Sequence, residues 1–498
     1  MLQTLSDKIA KDPDYPERRY TIDLYQRVLK GKLYDVLDYP FWMERLENAE
    51  YIPLKDRRPS VRYNLCRKVA ADSVGLLFSA GHFPTINVVK DPETIRIMAD
   101  LVKETRLNEI MLDAGLKGSV GSVAILFQVI KGRIFFRVME THFLTPVWSK
   151  DAPDTLESVY EQYKTTAKQL RTAGYDIPKE IGDGEKYWFK REWTDAKEIY
   201  YAPLKYSDWK DGKSFVEDPD RTTEHNLNFV PIEWIKNLPG GDDIDGECTF
   251  SEATGAIDDQ IEIEYMLSQD GRGLKYSSDP TVLIKKPMFG DGAQVKGAAN
   301  AIVVQEEGDA KLLEISGKAS KAVIEYVKTL REFALEAVRG NRSNAEKISV
   351  AQSGRAMEMM NQDLISLADT LKVSYGEGAL LNLLKMVVQA SNIYKLKIKG
   401  REIQPIKKDV QLTLEWPAWY APTAQDLLTK AQAVNELTDK GNLSRKTAVR
   451  SIAPDYDIED IDTEMSEIET DVEFKKKLSE ATKPKTENKP KERENTNA

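Results

Sequence analysis

Cysteine is almost missing: among 498 residues only Cys66 and Cys248 occur, far apart and with no CxxC neighbour. That spacing excludes a disulfide framework and a paired-cysteine metal site, and it fits a reducing compartment. Long apolar runs are missing too. No stretch approaches the ~20 uninterrupted apolar residues of a membrane span, so no membrane partner is expected. Residues 1–20 are charged and hold no apolar segment, so no secretory signal is expected there. Histidine is scarce, and His82, His142 and His225 are scattered. Acid/base work at neutral pH usually needs a histidine oriented by a partner, and no such pairing is visible. The P-loop, GxSxG and HExxH patterns are all absent. These absences argue against an enzyme, a cofactor and a bound metal. A basic excess is also lacking: 71 Lys and Arg stand against 81 Asp and Glu, a net charge of −10. That argues against a broad basic face gripping nucleic acid. It does not exclude a surface past which DNA slides, where weak or repulsive contact is an advantage. On charge alone, −10 simply keeps a soluble protein soluble.

What is present is an ordered succession of patterns. Residues 20–115 read as helical, with helices over 62–77, where Leu65, Val69, Ser73 and Leu76 share a face, and over 91–116. Residues 120–237 turn β-rich. Segments 122–128 and 133–140 flank Lys131-Gly132 as a hairpin, 187–193 and 198–202 repeat the pattern, and 228–235 adds a strand. Leu238-Pro239-Gly240-Gly241 then breaks the composition, and no Lys or Arg occurs from 240 to 271. Within that stretch 251–269 has helical spacing through Ile257, Ile261 and Tyr265, ending at an Asp270-Gly271 cap. Three short strands are expected over 281–284, 301–305 and 311–315, with a turn at Gly290-Asp291-Gly292. A helix over 319–338 follows, with an apolar stripe of Val323, Val327, Leu330, Ala334 and Val338. Polar residues 340–352 read as a mobile loop. A long helix starts near 353 on the seam Met357, Met360, Leu364, Leu367 and Leu371, with a kink or a turn expected at Gly376-Glu377-Gly378. Strands over 395–399 and 409–414 lead to Trp416 and Trp419, an aromatic pair that reads as core. Helices over 423–440, 444–452 and about 458–472 close the fold, and beyond 479 nothing apolar larger than alanine remains, so disorder is expected.

One near-miss stands out. Asp243, Asp245, Gly246 and Glu252 fall at the third, fifth, sixth and twelfth positions of a calcium-binding loop. Its first position is Gly241, where a carboxylate is required, so the run reads as an acidic turn.

The order of these parts resembles the portal proteins of tailed phages, especially long-tailed phages of Gram-positive hosts. Three segments carry the resemblance: Asn228-Phe229-Val230-Pro231-Ile232-Glu233-Trp234-Ile235-Lys236-Asn237 before the first long helix, Ser353-Gly354-Arg355-Ala356-Met357-Glu358 at the start of the later one, and Glu415-Trp416-Pro417. Each string is short and permissive. Their order and spacing together are specific over most of the chain, and the first 50 residues match least. The resemblance implies an α+β, predominantly helical portal fold assembled as a ring of about twelve copies. It implies a wing over 1–250, a first stem helix over 251–274, a clip over 275–317 and a second stem helix over 318–339. It further implies a tunnel loop over 340–352, a long kinked helix and wing return over 353–421, a crown over 422–478 and a disordered tail over 479–498. Double-stranded DNA would pass the tunnel-loop residues Arg342, Asn344, Lys347 and Gln352, and the stem residues Asp258, Asp259, Glu262, Lys321 and Lys328. A solvated helix face is the ordinary alternative for the stem charges. The implied partners are the large terminase, a head-completion or adaptor protein, and the major capsid and scaffolding proteins. The implied location is the portal vertex of the virion, after assembly in the host cytoplasm. Two rivals keep their place: another virion structural protein, such as an adaptor or minor capsid subunit, and an intracellular hydrolase built on the acidic run.

Overall fold

The computed structural model describes all residues except 89–90, 279–280, 288–303, 314–317, 341–353, 421–423, 457, 459–460 and 482–498. The chain divides into two compact units, one formed by Met1–Ser343 with Met360–Trp419, the other by Asn344–Met359 with Tyr420–Ala498.

The first unit is α+β. Its early helices are α1 (Leu2–Asp7), α2 (Glu17–Leu29), α3 (Leu65–Phe78), α4 (Pro92–Thr105) and α5 (Leu107–Gly118). The single helix expected over 91–116 is two. Arg106 sits in the left-handed region at φ 52°, a conformation that ends an α-helix, and α5 starts afresh behind it. The hairpin is as expected: β1 (Ser122–Ile130) and β2 (Arg133–Glu140) pair antiparallel around Lys131 and Gly132, both with positive φ. That is the two-residue turn whose twist matches its strands. The strand expected over 228–235 begins later, as β3 (Ile232–Lys236) on the other edge of β1, because Asn226 and Asn228 both take left-handed backbone.

A second antiparallel sheet holds Leu144–Trp148, Leu156–Thr166, Lys186–Trp193 and Lys197–Tyr200 in that order. Its first two strands were not anticipated. The second is largely polar, with only Val159, Ser158 and Thr165 buried among its eleven residues, so no alternation signals it.

The insert between Gly255 and Gly340 is a helical pair. Helix α6 (Ala256–Ser278) packs along α7 (Lys318–Ala337), and between them strands β4 (Thr281–Pro287) and β5 (Val304–Leu313) pair antiparallel. Here the sequence reading needs three corrections. Helix α6 does not stop at Asp270-Gly271: it runs on through Gly271 and Gly273 to Ser278. Its start is set by Gly255, at φ 73°. The second and third expected strands are largely one, β5. The expected turn at 290–292 lies outside the described residues.

The long helix follows as α8 (Gln362–Leu371), a π-helical stretch Lys372–Leu380 and α9 (Leu381–Ser391). No turn interrupts the helix at Gly376-Glu377-Gly378, which runs on in π-helical form, a recognised cause of a helix bend. The wider turns there admit two tertiary contacts, as π-helical segments often do. Ser374 Oγ donates to Asn237 O at 2.9 Å, and the Trp416 ring lies so close to Gly376 that a Cβ there would overlap it. Trp416 is thus half-buried against the core, as its sequence setting suggested. The chain returns through Leu412–Glu415, which pairs antiparallel with Thr85–Val88. The core is continuous across α3, α5, α6, α8 and α9.

The second unit contains most of a short helix, Gly354–Met360, and then α10 (Ala424–Asp439), α11 (Arg445–Ile452) and α12 (Ile461–Ala481). Gly441, at φ 72°, follows α10, and the Ser444 side chain accepts from Thr447 N at the start of α11. The expected Thr423 cap and most of the tail expected to be disordered lie outside the described residues.

Candidate functional site: the helical pair and its supports

Helix α7 meets its surroundings in a graded way. Val323 and Val327 are half-buried, while Leu330, Ala334 and Val338 are buried, so the expected stripe sinks into the core toward its C-terminal end. Gly340 closes that end. A Cβ there would come within 2.6 Å of the Leu335 side chain and 2.9 Å of the Val69 side chain on α3, so a larger residue requires both methyl groups to shift. Lys321 and Lys328 are exposed, and together with Glu325 and Glu332 they follow helical spacing along one face. That face therefore alternates in sign and carries no net charge. Ser320 Oγ donates to Asp270 Oδ2 at 2.9 Å, joining α7 to α6.

The acids of α6 do not form one exposed row. Asp258 is exposed, but its Oδ1 accepts from the Met1 amine at 3.2 Å and from Leu2 N at 3.0 Å, fixing the start of α1. Asp259 is half-buried, and burial, followed by repulsion from Asp258, raises its carboxyl above the usual range. Glu262 is half-buried. Arg342, Asn344, Lys347 and Gln352 lie outside the described residues.

A different row on α6, overlooked in the sequence, is turned inward. Gln260, Glu264 and Ser268 recur at intervals of four and are all buried. Together they satisfy the backbone where the chain enters α3. Gln260 Oε1 accepts from Cys66 N at 3.0 Å. Glu264 Oε1 accepts from Tyr63 N at 2.8 Å and Asn64 N at 3.1 Å. Ser268 Oγ accepts from Val61 N at 3.0 Å. Asn64 occupies the cap position with φ 46°, and its side chain does not cap. The cap of α3 is therefore supplied from α6, nearly two hundred residues away in sequence. The carboxylate also complements the positive end of the α3 dipole. Apolar burial of Ile257, Ile261 and Tyr265 backs the row. Helix α6 thus has partners within its own chain besides α7.

The acidic turn 242–252 is held by protein donors. Arg18 makes a two-pronged ion pair with Asp245, Nε to Oδ2 at 2.5 Å and Nη2 to Oδ1 at 2.8 Å, and donates to Thr141 O and Leu144 O. Ser122 Oγ also donates to Asp245. Asp242 Oδ1 accepts from Ile244 N and Asp245 N. Asp242 and Asp245 thus serve the turn itself, which agrees with the acidic-turn reading. Among the described residues no group of three or more candidate ligands could hold a metal ion. Replacing Arg18 with alanine leaves the Asp245 carboxylate largely buried without its cation. The expected loss is about 2–3 kcal/mol in urea unfolding, and a loss below ~0.5 kcal/mol would refute the assignment.

Both cysteines are free and buried, and burial pushes the Cys66 thiol up to about 12 and the Cys248 thiol well above its usual range. Neither is poised as a nucleophile. Burial lowers His142 and His225 below the ordinary imidazole value.

A cleft of about 730 Å³ separates β3 from α9 and the loop around Trp148 and Asp154. On its wall stands Glu233, whose Oε1 accepts from Asn382 Nδ2 at 3.2 Å. Burial pushes this carboxyl up to about 8, with Asn382 and Lys385 pulling in the opposite direction. Sequence reading placed Glu233 on a strand and gave no hint of this environment. Among the described residues no helix is long and apolar enough to cross a membrane.

No family model and no curated protein matches the chain. Among solved structures it is similar to a chain in the neck of an empty gene transfer agent particle, at 10% identity and a TM-score of 0.38, covering 78% of this chain and 88% of that one. It is also similar to a chain in the virion of a native gene transfer agent particle, at 11% identity and a TM-score of 0.37, with the same coverage of both. Alignments at these scores do not establish a shared fold.

Proposed function

We propose that the chain is the ring-forming subunit of a tailed-phage portal: a noncatalytic DNA conduit, a docking platform for the packaging motor and a head–tail connector. The observation that carries this reading is the helical pair α6–α7 with β4–β5 set between its helices. It lies between a β-rich N-terminal region and the long interrupted helix α8–α9, and a separate helical unit follows. That order is the wing, stem, clip, stem, long helix and crown succession to which the sequence is similar. The alternating charge of Lys321, Glu325, Lys328 and Glu332 supports a lining role. Repeated around an axis, it offers phosphate transient contacts without net grip.

In this reading Arg342, Asn344, Lys347 and Gln352 belong to the loop that meets DNA, while Asp258 serves mainly as an anchor for the N-terminus. Segment 275–317 meets the large terminase during packaging and a head-completion adaptor afterwards. Major capsid and scaffolding proteins surround the ring at the virion vertex, after assembly in the host cytoplasm. ATP is hydrolysed by the partner. Native mass spectrometry with negative-stain imaging tests the reading. Closed rings of about twelve copies with a central hole are expected. A chain that stays monomeric even when coexpressed with its scaffold and capsid partners would overturn it.

A further inference from the structure

The helices α10–α12 of the second unit lack the interior their sequence calls for. Helix α10 has no buried residue at all. Leu428, 51% exposed, and Leu437, 45% exposed, are nine positions apart on this helix, which puts them on opposite sides of it. Among the described residues of the α11 region, Ala448, Val449 and Ala453 are the buried ones. On α12, Ile461, Met465 and Ile468 are half-buried, but beyond them Val472 and Phe474 are exposed, Phe474 by 65%. Apolar side chains on several faces of so small a unit mark a surface that another body covers.

Charge indicates which body. From Asp462 to Glu473 helix α12 carries six carboxylates and no cation. Glu467 and Asp471 are exposed and lie on the same face as Phe474, at steps of four and three. Among the described residues neither has an ion pair. Helix α11 exposes Arg445 and Arg450, which likewise have none. One unit therefore presents both halves of a complementary pair, an acidic, apolar-edged face and a basic one. A contact between unlike faces of identical chains is head-to-tail, and in a ring, where the repeated rotation closes, every copy makes it on both sides.

We propose that α10–α12 complete their packing only against the same unit of a second copy of this chain, with the Glu467–Asp471–Phe474 face of one α12 against Arg445 and Arg450 of the next α11. This rests on the ring reading, since a ring gives every copy such a neighbour. The helices would then become ordered on assembly.

Hydrogen–deuterium exchange on the full-length chain tests it, comparing monomer and ring fractions. Amides of 424–452 and 461–474 are expected to exchange roughly 100-fold more slowly in rings than in monomers, with α9 protected in both. A charge-swap pair adds specificity. Rings of Arg445→Glu/Arg450→Glu alone, and of Glu467→Lys/Asp471→Lys alone, should lose that protection, and a one-to-one mixture should regain it. Slow exchange of these helices already in the monomer would mean that the chain covers them itself, and would overturn the proposal. So would rings in which they still exchange fast, a result that leaves the ring reading standing. Failure to assemble at all would remove the ring reading and the proposal together.

Discussion

Glu264→Ala is expected to destabilise the first unit by about 3–4 kcal/mol, a large share of the stability of an ordinary domain. The carboxylate is 1% exposed and accepts from the backbone N–H groups of Tyr63 and Asn64 where the chain enters α3. Alanine leaves two part-buried backbone donors without that acceptor. It also removes the negative charge that faces the start of α3. The two effects have different remedies, which makes them separable. Glu264→Gln keeps an oxygen for the same N–H groups but carries no charge, so its cost should be about 1 kcal/mol. Urea unfolding of the wild type and both variants measures this. Equal losses for glutamine and alanine would mean that charge, not acceptor geometry, carries the effect. A loss within ~0.5 kcal/mol for alanine would refute the long-range cap altogether.

This cap also marks where the sequence stops being legible. Local rules served well. The Lys131-Gly132 turn, the Val323-to-Val338 stripe, and the Ile257, Ile261 and Tyr265 face all follow from residue spacing, and each has the burial or turn geometry expected of it. The acidic loop also read correctly as a turn, although Arg18, its distant partner, could not be named. Failures cluster where a distant residue decides. An acid-rich α6 looked like an exposed negative rod, because nothing local distinguishes Glu264, which serves the backbone before α3, from Glu262, which is half-buried. Asp258 looked free until the N-terminus was seen to end on it. The glycines at 376 and 378 read as a kink or a turn, yet the helix runs through them in π-helical form and Gly376 packs under Trp416, forty residues on. The strand Leu156–Thr166 was passed over because its burial does not alternate: Ser158 and Val159, adjacent in sequence, are both buried, and the residues after them are mostly polar and half-buried. Glycine, acid and polar strand residues share one property: each chemistry suits several environments, and the tertiary contact selects among them.

Glu233 gives the clearest case of a property that only the assembled fold confers, and the stability of its glutamine variant should depend on pH in one direction. Burial raises this carboxyl from 4.5 to about 8. In the unfolded chain it ionises at its ordinary value. Between those two values the folded state therefore holds more protons than the unfolded state, and stability falls as pH rises through the window. Below it both states are protonated and there is no penalty; above it the full penalty applies. Glu233→Gln keeps the oxygen that accepts from Asn382 and removes the titration. The variant should match the wild type near pH 4.5 and be more stable by roughly 4–5 kcal/mol at pH 9, on about 1.4 kcal/mol per pH unit across the raised range. His142 and His225 titrate with the opposite sign, since their lowered values withdraw stability as pH falls below the ordinary imidazole value of 6.5. Both contribute equally to wild type and variant, so they cancel in the difference between the two chains. That difference, followed by urea unfolding from pH 4.5 to 9, isolates Glu233. A flat difference would mean that the carboxyl is hydrated in the cleft and ionises normally. A difference that grows toward acid would mean that its charge is stabilising, with Lys385 rather than burial setting its behaviour.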